Sequence, residues 1–198
     1  MNIQKLFEIQ AKLDKHIVEK KGLEGRNLLD EKILALQVEL GELANEWRGF
    51  KFWSENQEPK PPVHNWDVSE DGLTQEWLPE WGYESYPLLE EYVDCLHFIL
   101  SIGLDYNVNP ENSTKHINET MNWILEDRNV RSTSITEQFN IVFANISYFH
   151  QMGELEHYYD VTTEFFILGE KLGFTDKQIE QAYLDKNKIN HERQQNGY

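Results

Sequence analysis

The chain has 198 residues, of which 39% are hydrophobic and 13% aromatic, enough to build one sizeable core unaided. Acidic residues outnumber basic ones 35 to 18, and the resulting net charge of −17 repels a nucleic-acid backbone and excludes a general DNA or RNA binder. The single cysteine, Cys95, excludes an intrachain disulfide framework and a thiol-built zinc site. No apolar run approaches the ~18 residues that span a bilayer, so a soluble cytoplasmic protein is expected.

Apolar residues recur at helical spacing almost everywhere, and the alternation that marks strands is nearly absent, which predicts an all-α fold of six or seven helices in one domain spanning 1–198. Leu6, Ile9, Leu13 and Ile17 mark a first helix, closed by the glycine-bearing turn KKGLEG. A second helix is expected from about Asp30 to Phe50. Residues 54 to 87 break the pattern with Pro59, Pro61, Pro62, Pro79 and Pro87, scattered acids, and Trp66, Trp77 and Trp81. Structureless segments of that length are uncommon in compact domains, so this insertion reads as a surface excursion folded onto the core, or as a lid, flap or partner surface. Further helices follow from about Pro87 to Tyr106, near 111–128, near 134–151 behind the capping-box pattern Ser134-x-x-Glu137, near 154–171, and from about Thr175.

The second helix carries the sequence VELGELANEW. At about 100° per residue, Leu36, Leu40, Leu43 and Trp47 share a narrow stripe that packs inward, while Glu39, Glu42 and Glu46 cluster roughly 90° to one side of it. No basic residue lies between Lys32 and Arg48 to relieve them locally. The third helix repeats the geometry: Leu88, Tyr92, Cys95, Ile99 and Ile102 form the stripe, and Glu91 and Asp94 flank it at the same angle and hand. Carboxylates bordering a core are neutralised by protons, by protein cations or by a metal, and four of them converging with few lysines nearby favour a hard divalent ion. Oxygen ligands suit Mg²⁺ or Mn²⁺, so metal-assisted hydrolysis or transfer at phosphorus follows as a reaction class. The structural alternative has these acids capping or pairing with arginines elsewhere. In the last helix, Tyr183, Lys186, Asn187, Asn190 and Arg193 recur at three- and four-residue spacing, which suits a phosphate clamp; a frayed polar C-terminal helix is the plainer reading.

Glu39-x-x-Glu42, Glu91-x-x-Asp94 and the C-terminal KNxxNxxRQxxGY pattern from Lys186 to Tyr198 together resemble the dimeric dUTPases, members of the all-α, MazG-type nucleotide pyrophosphatases. The resemblance implies a homodimer that hydrolyses dUTP, and dUDP, to dUMP with Mg²⁺, or Mn²⁺ as a substitute. It implies that Glu39, Glu42, Glu91 and Asp94 hold the metal, with Glu42, aided by Glu39, orienting or deprotonating a water that attacks the β-phosphorus. Lys186, Asn190, Arg193 and Tyr198 secure the phosphate chain in that scheme. Gln10 occupies the place of a base-reading amide, with Asp14 one turn later where some relatives have asparagine. Phe98 matches the aromatic that packs on the deoxyribose, Asn187 is placed to bond sugar or base edge, and Trp53 either stacks on uracil or joins the core. Glu46 is either an outer partner of the site or exposed. The chain stops at Tyr198, where many relatives continue with further basic residues. Two alternatives stand beside this reading: a pyrophosphatase for dCTP or another pyrimidine deoxynucleotide, and a non-catalytic interaction protein that docks through the acidic, Trp-rich insertion.

Overall fold

The structure, a computed structural model, describes residues 1–61, 63–64, 67–68, 75–76, 84–109, 111–112, 115–116, 119 and 133–196. Six long helices carry its core. Helix α1 (Ile3–Lys21) starts where the Asn2 side chain accepts from the Lys5 amide, and ends at Gly22, whose φ of 64° closes the turn. Helix α2 (Leu29–Trp47) stops three residues before the expected Phe50, because Arg48 enters the left-handed region at φ 64°. Gly49 then passes so close to the Trp47 ring that a Cβ there would overlap it.

Helix α3 (Pro87–Asp105) begins on a proline in its first turn, where the missing N–H has no helical acceptor to lose. Helix α4 (Ile135–Met152) opens on the expected capping box of Ser134 and Glu137, and α6 (Asp176–Gln195) on a second one, Thr175 with Gln178; α5 (Leu155–Lys171) lies between them. Of the helix expected near 111–128, Glu111, Asn112, Lys115, His116 and Glu119 are helical and the rest lies outside the described residues. Within the insertion, β1 (Val63–His64) pairs antiparallel with β4 (Glu84–Ser85), and β2 (Asp67–Val68) with β3 (Gln75–Glu76). These two-residue ladders are regular pairing the helical periodicity could not signal. Trp66, Trp77 and Trp81 lie outside the described residues.

Helix α3 is the central element, packed against α2 on one side and α1, α6 and α5 on others. The expected inward stripe, Leu88, Tyr92, Cys95, Ile99 and Ile102, is buried throughout, and Val93, Leu96 and Leu100 are buried as well. Tyr92 stacks on Phe165 of α5 with ring centroids 4.3 Å apart. On α2 the matching Leu36, Leu40 and Leu43 are fully covered, each side chain contributing roughly 1.5–3 kcal/mol of apolar burial. This α2–α3 contact sets the phase of both acidic motifs toward one another. No helix among the described residues is long and apolar enough to cross a membrane.

Candidate active site

Glu39 of α2 and Glu91 and Asp94 of α3 each offer a carboxylate oxygen, and these oxygens lie within 4.8 Å of one another. All three side chains are half-buried. Burial and the neighbouring charges of Asp94, Glu39 and Glu42 push Glu91 up to about 7. Burial, then Asp94 and Glu42, raises Glu39, with the Lys186 ammonium acting the other way. Burial also raises Asp94, although Lys186 Nζ donates to its Oδ2 at 2.5 Å and the Arg193 charge favours its ionised form. Glu42 is exposed at the rim of this cluster, outside the close group of oxygens but near enough for its charge to act on Glu39 and Glu91.

Three hard oxygen donors crowded around one lysine contact fit a divalent ion of the Mg²⁺ or Mn²⁺ kind, whose charge would compensate what Lys186 alone does not. A soft ion is poorly served. The nearby Cys95 thiol is pushed well above its ordinary value by burial and by Glu39, Asp94 and Glu91, so it stays protonated and offers no thiolate. Glu46, the third glutamate of the α2 motif, is half-buried and turned to the insertion, where Lys60 Nζ meets its Oε1 at 2.7 Å.

A second polar cluster lies among α1, α3 and α6. The Gln10 amide, buried at 3% exposure, donates to Asp14 Oδ1 at 2.6 Å and accepts from the Tyr183 hydroxyl at 2.6 Å. Its oxygen is also 2.8 Å from His97 Nδ1. Ser101 Oγ donates to Asp14 Oδ2 at 2.6 Å, and Lys32 Nζ stands 3.8 Å from that carboxylate while bonding Asp105 at 2.7 Å. Burial raises Asp14, and Ser101, Lys32 and Gln10 partly offset it. His97 is stacked on the Tyr183 ring with centroids 4.1 Å apart, and burial together with the Lys186 charge holds it down to about 3, neutral across the physiological range. Phe98 is half-buried against the core, and Asn187 is buried.

The sequence-predicted residues therefore fall into two neighbouring groups joined by α3 and α6. Glu39, Glu91 and Asp94 come together with Lys186; Gln10 and Asp14 come together around Tyr183. Arg193 is exposed with its charge acting on Asp94, Asn190 is half-buried, and Tyr198 lies outside the described residues. Trp53 is 66% exposed, which removes it from the core; its ring meets Phe50 and Phe52 edge-on. Sequence reasoning missed His97, Ser101 and Lys32. A signal for the first two existed: His97 and Ser101 continue the polar side of α3 set by Glu91 and Asp94, at helical spacing through to Asp105. Lys32 carried none, since its partners are more than a whole helix away in sequence.

A helical bundle that gathers carboxylates from two adjacent helices into a cluster able to hold a hard divalent ion, with lysine and arginine charge beside it, fits the class of all-α phosphorus-centred hydrolases. A family model described as dUTPase matches residues 2–66 and 77–198, and the chain belongs to that all-α dUTPase family. The break in the match falls inside the insertion. Among curated proteins no sequence matches the chain. Family and acidic cluster together make the chain a hydrolase, a pyrophosphatase acting on a pyrimidine deoxynucleoside triphosphate in keeping with dUTP hydrolysis, rather than a docking protein with a vestigial site.

Proposed function

We propose that the chain hydrolyses dUTP to dUMP and pyrophosphate, and dUDP to dUMP and phosphate, with Mg²⁺ at Glu39, Glu42, Glu91 and Asp94. The observation that carries this reading is the convergence of Glu39, Glu91 and Asp94 oxygens within 4.8 Å, each carboxyl raised in proton affinity. Bound there, Mg²⁺ supplies positive charge against the phosphate oxygens, and Mn²⁺ substitutes for it. Glu42, at the solvent-facing rim one turn after Glu39, orients the attacking water and takes its proton. The water oxygen bonds to the β-phosphorus, the bond from that phosphorus to the α–β bridging oxygen breaks, and dUMP leaves with the bridging oxygen.

Lys186 exchanges its hydrogen bond with Asp94 for one with phosphate, and Asn190, Arg193 and Tyr198 hold the rest of the chain of phosphates as charge develops on it. Gln10 and Asp14 face the base edge, Trp53 stacks on the ring, and Phe98 and Asn187 flank the sugar. In this reading the chain is one domain and works in the cytoplasm as a homodimer. Leu34 and Val38 on α2 and Tyr148 and Met152 on α4 are between 46% and 62% exposed. Gln37 and Ser147, 3.4 Å apart, tie these two helices side by side, so the four apolar groups supply a face for a second copy. Initial rates with dUTP, dUDP, dCTP, dTTP and UTP, with the products separated, test the substrate. Turnover of dUTP and dUDP alone is expected; preference for dCTP overturns the uracil reading, and equal use of UTP removes Phe98 from sugar selection.

A further inference from the structure

Lys186 and a divalent ion address the same carboxylates. Lys186 Nζ donates to Asp94 Oδ2 at 2.5 Å, and Asp94 is one of the three residues whose oxygens converge within 4.8 Å. Both side chains of the pair are 16% exposed, so salt screens the contact far less than it would a surface pair. The ammonium acts beyond its one hydrogen bond. Its charge lowers the proton affinity of Glu39, Glu91 and Asp94 alike, against the burial that raises all three. A cation bound to these oxygens acts on the same groups in the same sense.

Two cations on one carboxylate repel, and more strongly in a half-buried place than in water. Magnesium binds oxygen at about 2.0–2.1 Å, so an ion on either oxygen of Asp94 stands within a few ångströms of the ammonium. Lys186 relieves that repulsion by leaving. It then gives up a charge-assisted hydrogen bond, and regains one only where another anion is at hand. A nucleotide phosphate is such an anion. Lysine suits the change of partner, being a compact charge on a flexible four-carbon stem that moves without its helix.

We propose that Lys186 is a built-in competitor of the metal: its ammonium holds Asp94 until nucleotide phosphate draws it away, so that the nucleotide-free protein binds Mg²⁺ or Mn²⁺ weakly and metal loading is coupled to nucleotide binding. The handover to phosphate rests on the reading above; the competition at Asp94 rests on the contact itself. By linkage, bound metal strengthens nucleotide binding by the same factor. A residue that merely orients a metal-binding carboxylate behaves in the opposite way, since its loss weakens the metal.

Electron paramagnetic resonance of free Mn²⁺ gives the metal affinity of the wild type, Lys186→Met and Arg193→Met, at about pH 8, where protons compete little for the carboxylates. Each is measured without nucleotide and with the α,β-imido analogue of dUTP, whose nitrogen bridge resists hydrolysis. Without nucleotide, Lys186→Met is expected to bind Mn²⁺ at least about tenfold more tightly than the wild type. Arg193→Met, which removes an exposed charge that also acts on Asp94, should tighten it by less than about threefold. The analogue should then raise the wild type's affinity by about tenfold more than that of Lys186→Met. Equal or weaker binding in Lys186→Met overturns the competition, and so does an equal gain in Arg193→Met, which makes the effect one of net charge. The same gain from the analogue in Lys186→Met as in the wild type overturns the coupling. An analogue that does not bind the wild type defeats the dUTP reading instead, and the nucleotide-free comparison still decides the competition. Should Lys186→Met fail to fold, ¹⁵N NMR of the wild type's lysine ammonium groups decides. Saturating Mg²⁺ without nucleotide should remove the Lys186 signal that the bond to Asp94 protects from exchange, and its persistence overturns the proposal.

Discussion

The polar side of α3 meets two different surroundings along its length. Near its start, Glu91 and Asp94 face Glu39 across the α2 contact, and Lys186 is the cation bonded there. Further on, His97 and Ser101 meet Gln10, Asp14, Tyr183 and Lys32, where nearly every acceptor has a donor within hydrogen-bond reach. Both regions take ionisable groups out of water on the same helix. The first leaves like charges facing one another, relieved within the protein by Lys186 and by the raised proton affinity of Glu39, Glu91 and Asp94, and it could take up a divalent cation from outside the chain. The second compensates itself within the protein, and a network already bonded in this way needs little further ordering.

The largest effect separating the two should come from Glu91→Gln. Losing a carboxylate from the cluster is expected to lower turnover beyond the ~100-fold typical of losing an outer partner of a metal site. The same change removes a repelling charge, so the metal-free protein should unfold at a higher temperature, by about 2–4 °C for each kcal/mol of repulsion relieved in a chain of this size. Calorimetry with and without Mg²⁺ checks both: the variant should also lose the upward shift that Mg²⁺ gives the wild type. A variant less stable than the wild type without metal would mean that the carboxylates are satisfied by the protein.

The acidic cluster should also reveal itself through pH. A carboxyl whose folded-state pKa lies above its unfolded value keeps its proton in the native state after the unfolded chain has lost it. Stability is therefore full below the unfolded value and declines as pH rises through the folded one. For Glu91 that window runs from its ordinary 4.5 to about 7, with Glu39 and Asp94 shifted the same way. Metal-free thermal stability is expected to fall across this interval, and saturating Mg²⁺ should flatten the decline, since it binds the deprotonated cluster. A flat metal-free profile would show that burial does not hold these protons.

The self-compensated region should respond differently. Ser101→Ala removes the closest donor to Asp14 Oδ2 and leaves Lys32 at 3.8 Å, so a loss of about 1–3 kcal/mol is expected at neutral pH with the Mg²⁺ requirement unchanged. Denaturant unfolding and an Mg²⁺ titration of activity read the two separately. If the Mg²⁺ dependence moves with stability, the two regions are one electrostatic unit.

The acidic region was legible in the sequence because its signal is local: Glu39, Glu91 and Asp94 sit at fixed angles beside apolar stripes, and helical geometry carries that phase into the fold. Glu42 obeys the same spacing yet lies at the rim, while Asp94, at the matching position of α3, is inside the cluster, a difference set by the packing of the two helices and not by spacing. The network around Asp14 was half hidden. Its members come from α1, α3, α6 and the start of α2, and Lys32 or Tyr183 reaches Asp14 or Gln10 only through the packing of whole helices. The end of α2 at Trp47 was set by Arg48 entering the left-handed region, with Gly49 then passing close to the Trp47 ring, and the apolar periodicity carries no sign of either.

The smallest expected effect concerns Glu46, which continues the acidic row of α2 but leaves the cluster for the insertion. Its Oε1 bonds Lys60 Nζ at 2.7 Å, while its Oε2 is buried with no hydrogen-bond partner among the described residues. Lys60 is 61% exposed, and an ion pair with one end in water is worth at most about 1 kcal/mol. Lys60→Met should therefore shift the unfolding midpoint by no more than a few degrees and leave the Mg²⁺ concentration for half-maximal activity where it was. Protection from proteolysis around residues 54–61 should fall, because the cation that ties this segment to α2 is gone. A changed Mg²⁺ requirement in this variant would instead assign Glu46 to the metal, and the row of three glutamates would then belong to one site.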